Sequence, residues 1–253
     1  MHLDAAELAL LAGAGGAAGA VNSIAGGGSL LSFPALLAVG YPGVAANVTN
    51  LVALVPGYVS GTHAYRRELA GQGPRARRLS VSAALGAITG TALLLLGSSG
   101  SFDAVIPWLV VLACATLAAQ PLLARAVARR GEHHRHAPGP VLHALVFAGC
   151  VYGGYFGAGL GIMLLALLGA FLDDPLQRVN ALKGVLSLVV AVVSAVCVGL
   201  FGPVAWGPAS LMAATSLAGG RLGVMVARRL DERMLRWGIV VYGVAVAVLL
   251  ARR

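Results

Sequence analysis

The sequence is poor in charge, and this scarcity limits the kind of protein that it can encode. Only 11% of its 253 residues are Asp, Glu, Lys or Arg, whereas a typical soluble domain has about 25%. At the same time 58% of the residues are hydrophobic, and the mean hydropathy is +0.86. So few charges cannot cover a water-soluble domain, and so apolar a chain does not stay disordered. The composition predicts a protein that crosses a membrane several times.

Cysteine and acidic residues are also scarce, and each shortage excludes a kind of site. Cys114, Cys150 and Cys197 lie singly in apolar runs, without a CxxC pair or a histidine at ligand spacing, so no disulfide framework or metal site is predicted. The nine acidic residues lie at segment ends or in loops, so no carboxylate proton relay is visible at membrane depth. A phosphate-binding loop is missing too. We expect no metal, no cofactor and no ATP-driven step in this chain.

Most of the charges that are present belong to arginines, and their positions indicate topology. Lysine and arginine number 18 against nine acids, which gives a net charge of +9. Arginines cluster between apolar segments, at 66–78, 125–135 and 228–236. Because such clusters follow the positive-inside rule and contact anionic headgroups, we expect membrane lipids as partners and no nucleic acid. The first residues lack the basic region of a signal peptide, so we expect no cleavage.

Apolar segments of two kinds are present. Those long enough to cross the hydrocarbon core, which takes about 20 helical residues, lie at 47–65, 79–98, 104–126, 178–200, 204–227 and 234–251. Two others, 8–40 and 140–172, are interrupted by glycines, and their pieces of about 10–17 residues are too short for a full crossing. These interruptions predict broken or re-entrant helical hairpins. The predicted fold is an all-α polytopic membrane protein with six to eight transmembrane helices and two such hairpins.

The sequence also repeats itself, without a gap, at an offset of 133 residues. The coincident pairs are Gly26 with Gly159, Gly28 with Gly161, Pro42 with Pro175, Asn47 with Asn180, Gly86 with Gly219, and Gly90 with Gly223. Glycines alone would mean little in a chain with 35 of them, but matching proline and asparagine rarely arise by chance. The sequence predicts two homologous halves, 1–128 and 140–253, joined by a polar cytoplasmic linker at 129–139 within one membrane domain.

Loop charges bear on whether these halves are inverted or parallel. The loop at 66–78 carries five arginines, and its counterpart around 201–203 carries none. For the next pair of loops the order is opposite, because 98–103 has no basic residue and its counterpart at 228–236 has four arginines. Corresponding loops then lie on opposite sides of the membrane, so each half crosses it an odd number of times. Three full helices and one re-entrant hairpin per half meet this condition. Eight helices in parallel halves would instead place Arg252 and Arg253 inside, so both topologies stay open.

The two glycine interruptions are the first candidates for a binding site. A helix that begins after such a break presents free N–H groups and its positive dipole end. Inverted halves would point both N-termini toward the middle of the membrane, where they suit an anion. The candidate residues are Gly26, Gly27, Gly28 and Ser29 in the first half and Gly157, Gly159 and Gly161 in the second. Alternatively, these glycines serve only close helix packing.

Polar residues downstream of each interruption are the second candidates. Asn47 and Asn50 open an apolar segment in the first half, and Asn180 and Lys183 take the equivalent positions in the second. Lys183, the single lysine, lies about one turn inside its segment, where a cation is costly. An equivalent pair with one cationic member fits an anion held asymmetrically between the halves. Alternatively, Lys183 extends to the interface, and Asn47 and Asn180 cap their helices.

Several segments resemble the TauE/SafE family, the sulfite exporters. The run AGGGSLLSFP is similar to the first-repeat signature of that family. The likeness covers nearly the whole chain. The segments on which it rests are 22–37, 46–50, 61–67, 155–161, 180–183 and 219–230. Two positions depart from the pattern, because Leu160 stands at a usual glycine and Arg221 at a usual uncharged residue.

This resemblance implies a multi-pass permease of the bacterial inner membrane, with no enzymatic activity, for small sulfur-containing anions such as sulfite or organosulfonates. The anion would bind between the two broken helices, and one half would rock against the other to give alternating access. The alternatives are a permease for another small solute, an intramembrane enzyme, or an assembly factor that transports nothing. A closed, dry interior would favour the assembly factor. Homo-oligomer formation stays open.

Overall fold

The structure is a computed structural model that describes residues 3–24, 26–129 and 139–227, with five single positions further on. These residues form α-helices and no β-strand, which confirms the predicted all-helical fold. The helices are α1 (Ala5–Ile24), α2 (Ser29–Ala38), α3 (Gly43–Ala53), α4 (Val55–Ala64), α5 (Gly73–Leu96), α6 (Ser99–Arg129), α7 (Pro140–Tyr155), α8 (Leu160–Phe171), α9 (Leu176–Phe201) and α10 (Trp206–Ala227). The predicted linker 129–139 and the predicted span 234–251 lie almost entirely outside the described residues.

Helix lengths agree in part with the predicted spans. Within the described residues, the segments long and apolar enough to cross a membrane are Gly43–Ala64, Gly73–Leu96, Ser99–Ala119 and Leu176–Phe201. Shorter apolar helices are α2, α7 and α8, with 10, 16 and 12 residues. α1 has 20 residues, more than the short piece predicted at 8–22. The helices on either side of each glycine interruption are therefore unequal in length.

The outer faces of the long helices are apolar. Large hydrophobic side chains are exposed along α5 and α6, among them Leu85, Leu93, Trp108, Val111 and Leu112. A water-soluble monomer rarely exposes a continuous apolar surface of this extent. Lipid tails can cover it without cost, so this surface agrees with a multi-pass membrane protein.

Helix boundaries recur at the offset of the sequence repeat. α2 corresponds to α8, α3 with α4 to α9, and α5 to α10. Pro42 and Pro175 are the N-cap residues of α3 and α9, with φ/ψ of −58°/151° and −53°/143°. The proline ring fixes φ near these values and permits proline just before a helix. The matching prolines therefore start equivalent helices at equivalent positions.

One predicted segment is interrupted, and proline explains the difference. The sequence predicts a single apolar segment at 47–65, but the helix breaks at Leu54, between α3 and α4. Pro56 lies in the first turn of α4 and has no N–H to donate to the carbonyl four residues earlier. Its repeat equivalent is Val189, and α9 continues through that position without a break.

Close contacts at glycines interlock the two parts of the chain. α1 packs along α10, and α7, its repeat equivalent, packs along α5. A Cβ built on Gly15 of α1 would lie 2.9 Å from the Cα of Met212, and one on Gly86 of α5 would lie 2.5 Å from the Phe147 carbonyl oxygen. Small residues allow such close approach between apolar helices. This packing brings the glycine interruptions together in the interior.

Candidate functional site

The two glycine interruptions touch each other. Gly26, between α1 and α2, has a φ of +89°, a left-handed conformation that favours glycine. A Cβ built on Gly26 would lie 2.9 Å from the Gly161 Cα, and one built on Gly161 would lie 3.0 Å from the Gly26 Cα. A side chain at either position would therefore separate the backbones. Because the repeat pairs Gly26 with Gly159, the contact joins non-equivalent positions of the two halves.

Hydrogen bonds hold each interruption to the helix that precedes it. The Gly28 N–H, at the start of α2, donates to Asn22 Oδ1 at 2.8 Å. At the start of α8, Gly159 is the N-cap with a left-handed φ of +78°. Tyr152 Oη of α7 donates to the Ala158 carbonyl oxygen at 2.6 Å, just before that cap. Both interruptions are thus defined turns between two helices.

A small cavity, named here the first cavity, lies beside the contact between Gly26 and Gly161. Its volume is about 20 Å³, which is room for about one water molecule. The end of α1, one face of α4, one face of α9 and Gly161 surround it. The lining residues are Asn22, Ser23, Gly26, Gly57, Tyr58, Gly61, Thr62, Tyr65, Gly161, Asn180, Lys183, Gly184 and Ser187.

Lys183 supplies the charge of the first cavity. It is the only charged residue among the described residues that line this space, and it is 5% exposed. Within the described parts of the chain, both ion pairs belong to Asp174, and Lys183 takes part in neither. A buried cation without a counter-ion is energetically costly. An anion in the cavity would remove that cost.

Amide and hydroxyl groups complete the first cavity. Asn22 Nδ2 and Ser187 Oγ are buried and have no hydrogen-bond partner within the described residues. The phenol of Tyr65 also lines the cavity. A tyrosine phenol keeps its proton at neutral pH and can donate it in a hydrogen bond. One cation with several neutral donors suits an oxyanion.

A second cavity of the same volume, about 20 Å³, adjoins the first. Tyr58 and Ser187 line both spaces. Asn50 accepts a hydrogen bond from Ser32 Oγ at its Oδ1, while its Nδ2 is buried without a partner in the described part of the structure. The lining residues are Ser29, Asn50, Leu51, Leu54, Tyr58, Gly153, Gly157, Leu160, Ser187, Val190 and Ala191. None of these is charged, so the two cavities differ in their electrostatics.

The predicted site residues fall into three groups. Those that line the first cavity are Gly26, Gly161, Asn180 and Lys183. Those that line the second cavity are Ser29, Asn50 and Gly157. Those that line neither are Gly27, Gly28, Gly159 and Asn47. Two glycines of the last group belong to the interruptions, since Gly28 and Gly159 are the N-cap residues of α2 and α8.

Asn47 connects α3 to the end of α7. It is fully buried within α3, and its Nδ2 donates to the Tyr155 carbonyl oxygen at the end of α7, at 2.8 Å. The alternative that Asn47 and Asn180 cap their helices is wrong, because the N-caps are Pro42 and Pro175. A proline N-cap leaves the asparagines inside the helix, where their amides are free for other partners.

The sequence predictions missed several lining residues. They are Asn22 and Ser23 on α1, Tyr58 and Thr62 on α4, Tyr65 after it, and Ser187 on α9. Helical spacing was the available signal for some of them. Asn180, Lys183 and Ser187 lie on one helical face, as do Tyr58, Thr62 and Tyr65. For Asn22 no such signal exists, because its position depends on how α1 turns into α2.

Polar contacts also join the halves beyond the first cavity. Asp174, just before α9, pairs with Arg75 of α5 and with Arg178 of α9, the second pair at 3.5 Å between Nε and Oδ1. Gln72 Nε2 donates to the Arg178 carbonyl oxygen at 3.0 Å. These contacts tie the loop between α4 and α5 to the start of α9, close to Tyr65.

We expect Asp174→Asn to lower the free energy of unfolding modestly. The side chains of Asp174, Arg75 and Arg178 are 21%, 30% and 35% exposed, and pairs this accessible contribute at most about 1 kcal/mol. Thermal unfolding in detergent at low salt would measure the loss. Molar salt should abolish the difference between variant and parent, because it screens such pairs. Equal midpoints at low salt would contradict the prediction.

The described residues form apolar helices around a small polar interior, an arrangement that is typical of membrane transport proteins. The family model described as "Sulfite exporter TauE/SafE" matches residues 11–250. The chain therefore belongs to the TauE/SafE family, as its resemblance to that family predicts.

Curated relatives of the chain are membrane transporters by name. A "Probable membrane transporter protein YfcA" from Escherichia coli (strain K12) is 26% identical over 228 residues, which are 88% of this chain and 82% of the relative. A "Probable membrane transporter protein ORF9" from Sinorhizobium sp is 25% identical, over 91% and 87% of the two chains. A "Probable membrane transporter protein" from Haemophilus influenzae is 25% identical, over 92% and 90%. No solved structure shows a significant match.

Proposed function

We propose that this membrane transporter exports small sulfur-containing oxyanions, such as sulfite or short organosulfonates, across the bacterial inner membrane. The observation that carries the proposal is Lys183, a buried cation that has no counter-ion among the described residues, in a cavity whose other described lining residues are uncharged. The description of the matching family model as a sulfite exporter supports this substrate class.

The chemistry of the first cavity favours an anion over the other solutes considered. A metal cation would meet the Lys183 ammonium, and no carboxylate lines the cavity among the described residues. An uncharged solute would leave that ammonium unpaired. The oxygens of an oxyanion can instead accept hydrogen bonds from Asn22, Ser187 and Tyr65 while the charge pairs with Lys183.

Export needs no energy source beyond the membrane potential. An anion that leaves a cell with a negative interior gains about 2.3 kcal/mol per charge at 100 mV. Of the described carboxylates, none lines either cavity, so this part of the chain shows no acidic group to carry a coupled proton. Outward transport down the electrical gradient is the simplest mechanism that fits these observations.

The transport step requires movement of one half against the other. Each cavity holds about 20 Å³, about one water molecule, so neither holds a whole sulfite in this conformation. We infer that the substrate-bound conformation is wider than this one. The recurrence of helix boundaries and prolines supports the same motion in both halves, and inverted repeats would make the inward- and outward-open forms similar.

A closed interior alone would also fit an assembly factor. The interior found here is narrow but not apolar, because Asn22, Asn50 and Ser187 each place in it a polar atom without a partner among the described residues. Such atoms cost free energy unless a ligand or water binds them. This cost is reasonable for a transporter, whose site is filled only during part of its cycle.

Transport by the purified protein in liposomes tests the proposal. We expect saturable efflux of radiolabelled sulfite, inhibited by a short organosulfonate, and faster when the compartment that holds the sulfite is electrically negative. The reason for this sign is that each transported anion carries negative charge out of that compartment. Initial rates at imposed potassium diffusion potentials provide the measurement.

Matched solutes distinguish this function from the alternatives. Urea, as an uncharged solute, and rubidium, as a monovalent cation, should cross at the rate of protein-free liposomes. Efflux of either at the sulfite rate, or sulfite efflux that does not saturate, would refute an oxyanion site.

A further inference from the structure

We propose that the second cavity is a second binding site for the same oxyanion, holding it by neutral donors alone before release. This inference rests on the proposed function and adds a step to it. The substrate would pass from the cationic first cavity to the uncharged second cavity, past the two side chains that line both, Tyr58 and Ser187.

The repeat relates the two cavities to each other. Two residues of α3, and Leu54 directly after it, line the second cavity and are the repeat equivalents of α9 residues that line the first. These pairs are Asn50 with Lys183, Leu51 with Gly184, and Leu54 with Ser187. Two α4 residues of the first cavity, Gly57 and Tyr58, likewise have equivalents in the second, Val190 and Ala191. The second cavity is therefore the counterpart of the first in the other half.

Two polar side chains of the second cavity, Asn50 and Ser187, can donate hydrogen bonds to a ligand. Asn50 is fully buried, and its Oδ1 is occupied by the hydrogen bond from Ser32, which leaves the Nδ2 for the cavity. Ser187 is 1% exposed, and its Oγ has no partner among the described residues either. Two buried donors without partners cost free energy in the empty protein. An oxygen of the substrate is the ligand that would satisfy both.

The difference in charge gives the two sites different roles. Lys183 gives the first cavity the stronger attraction for an anion, and a transporter with that site alone would release its substrate slowly. The equivalent position in the second cavity is the neutral Asn50. A neutral site next to a charged one lowers the barrier to release without adding a second strong binding step.

Asn50→Ala separates the two sites experimentally. We expect the Kd for sulfite, measured in detergent, to change less than about twofold, because Lys183 and the first cavity are intact. We expect the maximal efflux rate from liposomes to fall at least about tenfold, because hydrogen bonds to a charged ligand are worth that much or more. Asn50→Asp keeps the side-chain shape, places a carboxylate in the second cavity and should slow efflux further.

Thr49→Ala is the matched control. Thr49 is as buried as Asn50 and lies on the same helix, but it lines neither cavity. Its Oγ1 instead accepts a hydrogen bond from the Ala205 N–H at 3.0 Å. Its efflux should stay within about twofold of the parent. The second site is overturned if Asn50→Asp, eluting as the parent does in size-exclusion chromatography, transports at the parent rate. It is also overturned if Asn50→Ala weakens Kd as much as efflux. A parent protein that moves no sulfite would refute the proposed function itself.

Discussion

Lys183→Met is expected to bind sulfite about 100-fold more weakly than the parent protein and to transport none above the background of empty liposomes. Lys183 is the one cation among the described residues of the first cavity. A hydrogen bond to a charged partner contributes about 1.5–3 kcal/mol, and the upper part of that range corresponds to two orders of magnitude in affinity. Methionine fills nearly the same space without the charge. Equilibrium binding and liposome efflux would measure both losses.

The same substitution should not destabilise the fold. A buried ammonium without a counter-ion is a cost in the empty protein, and an apolar side chain of similar volume removes that cost. We therefore expect Lys183→Met to unfold at the parent temperature or above it. This combination of lost transport and retained stability separates a substrate-binding lysine from a structural one.

Lys183→Arg is the control for charge. It keeps the cation but changes its shape, so it should retain part of the affinity that Lys183→Met loses. Transport at the parent rate by a folded Lys183→Met protein would remove Lys183 from the site. Lower stability with unchanged sulfite affinity would show that the lysine serves packing.

The repeat made part of this architecture predictable from sequence. Proline imposes its own φ and lacks an N–H, so Pro42 and Pro175 mark helix starts that depend little on tertiary structure. Left-handed glycines are a local feature of the same kind, as at Gly26 and Gly159. Lys183 was predictable because a lone cation at membrane depth is rare enough to need an explanation.

Other features depend on how helices cross, which local patterns do not encode. The contact between Gly26 and Gly161 joins positions that are not equivalent in the repeat, so matching landmarks could not reveal it. Tyr58 and Ser187 reach both cavities only because α4 packs against α9. Asn47 is a polar residue of the kind expected in a binding site, yet its Nδ2 donates its hydrogen bond to the Tyr155 carbonyl oxygen. Whether a polar side chain binds substrate or backbone is decided by its neighbours in space.

The contact between the two interruptions leads to the largest predicted effect on stability. We expect Gly26→Ala to lower the free energy of unfolding by about 2–5 kcal/mol. Part of this cost is the left-handed backbone, φ +89°, which penalises an L side chain by about 1–2 kcal/mol. The rest is overpacking, because the new Cβ would lie 2.9 Å from the Gly161 Cα, and such insertions cost about 1–3 kcal/mol. Thermal or urea unfolding in detergent would measure the change.

Neighbouring glycines provide controls that separate these two causes. A Cβ on Gly27 would meet Leu117 at 3.6 Å, an ordinary van der Waals contact, so Gly27→Ala should change stability by less than about 0.5 kcal/mol. A Cβ on Gly161 would meet the Gly26 Cα at 3.0 Å, and Gly161 is not among the glycines with positive φ. Gly161→Ala should therefore show the overpacking cost alone and fall between the other two. If Gly26→Ala were as stable as Gly27→Ala, the two backbones could not be in contact, and the site built around that contact would have to be abandoned.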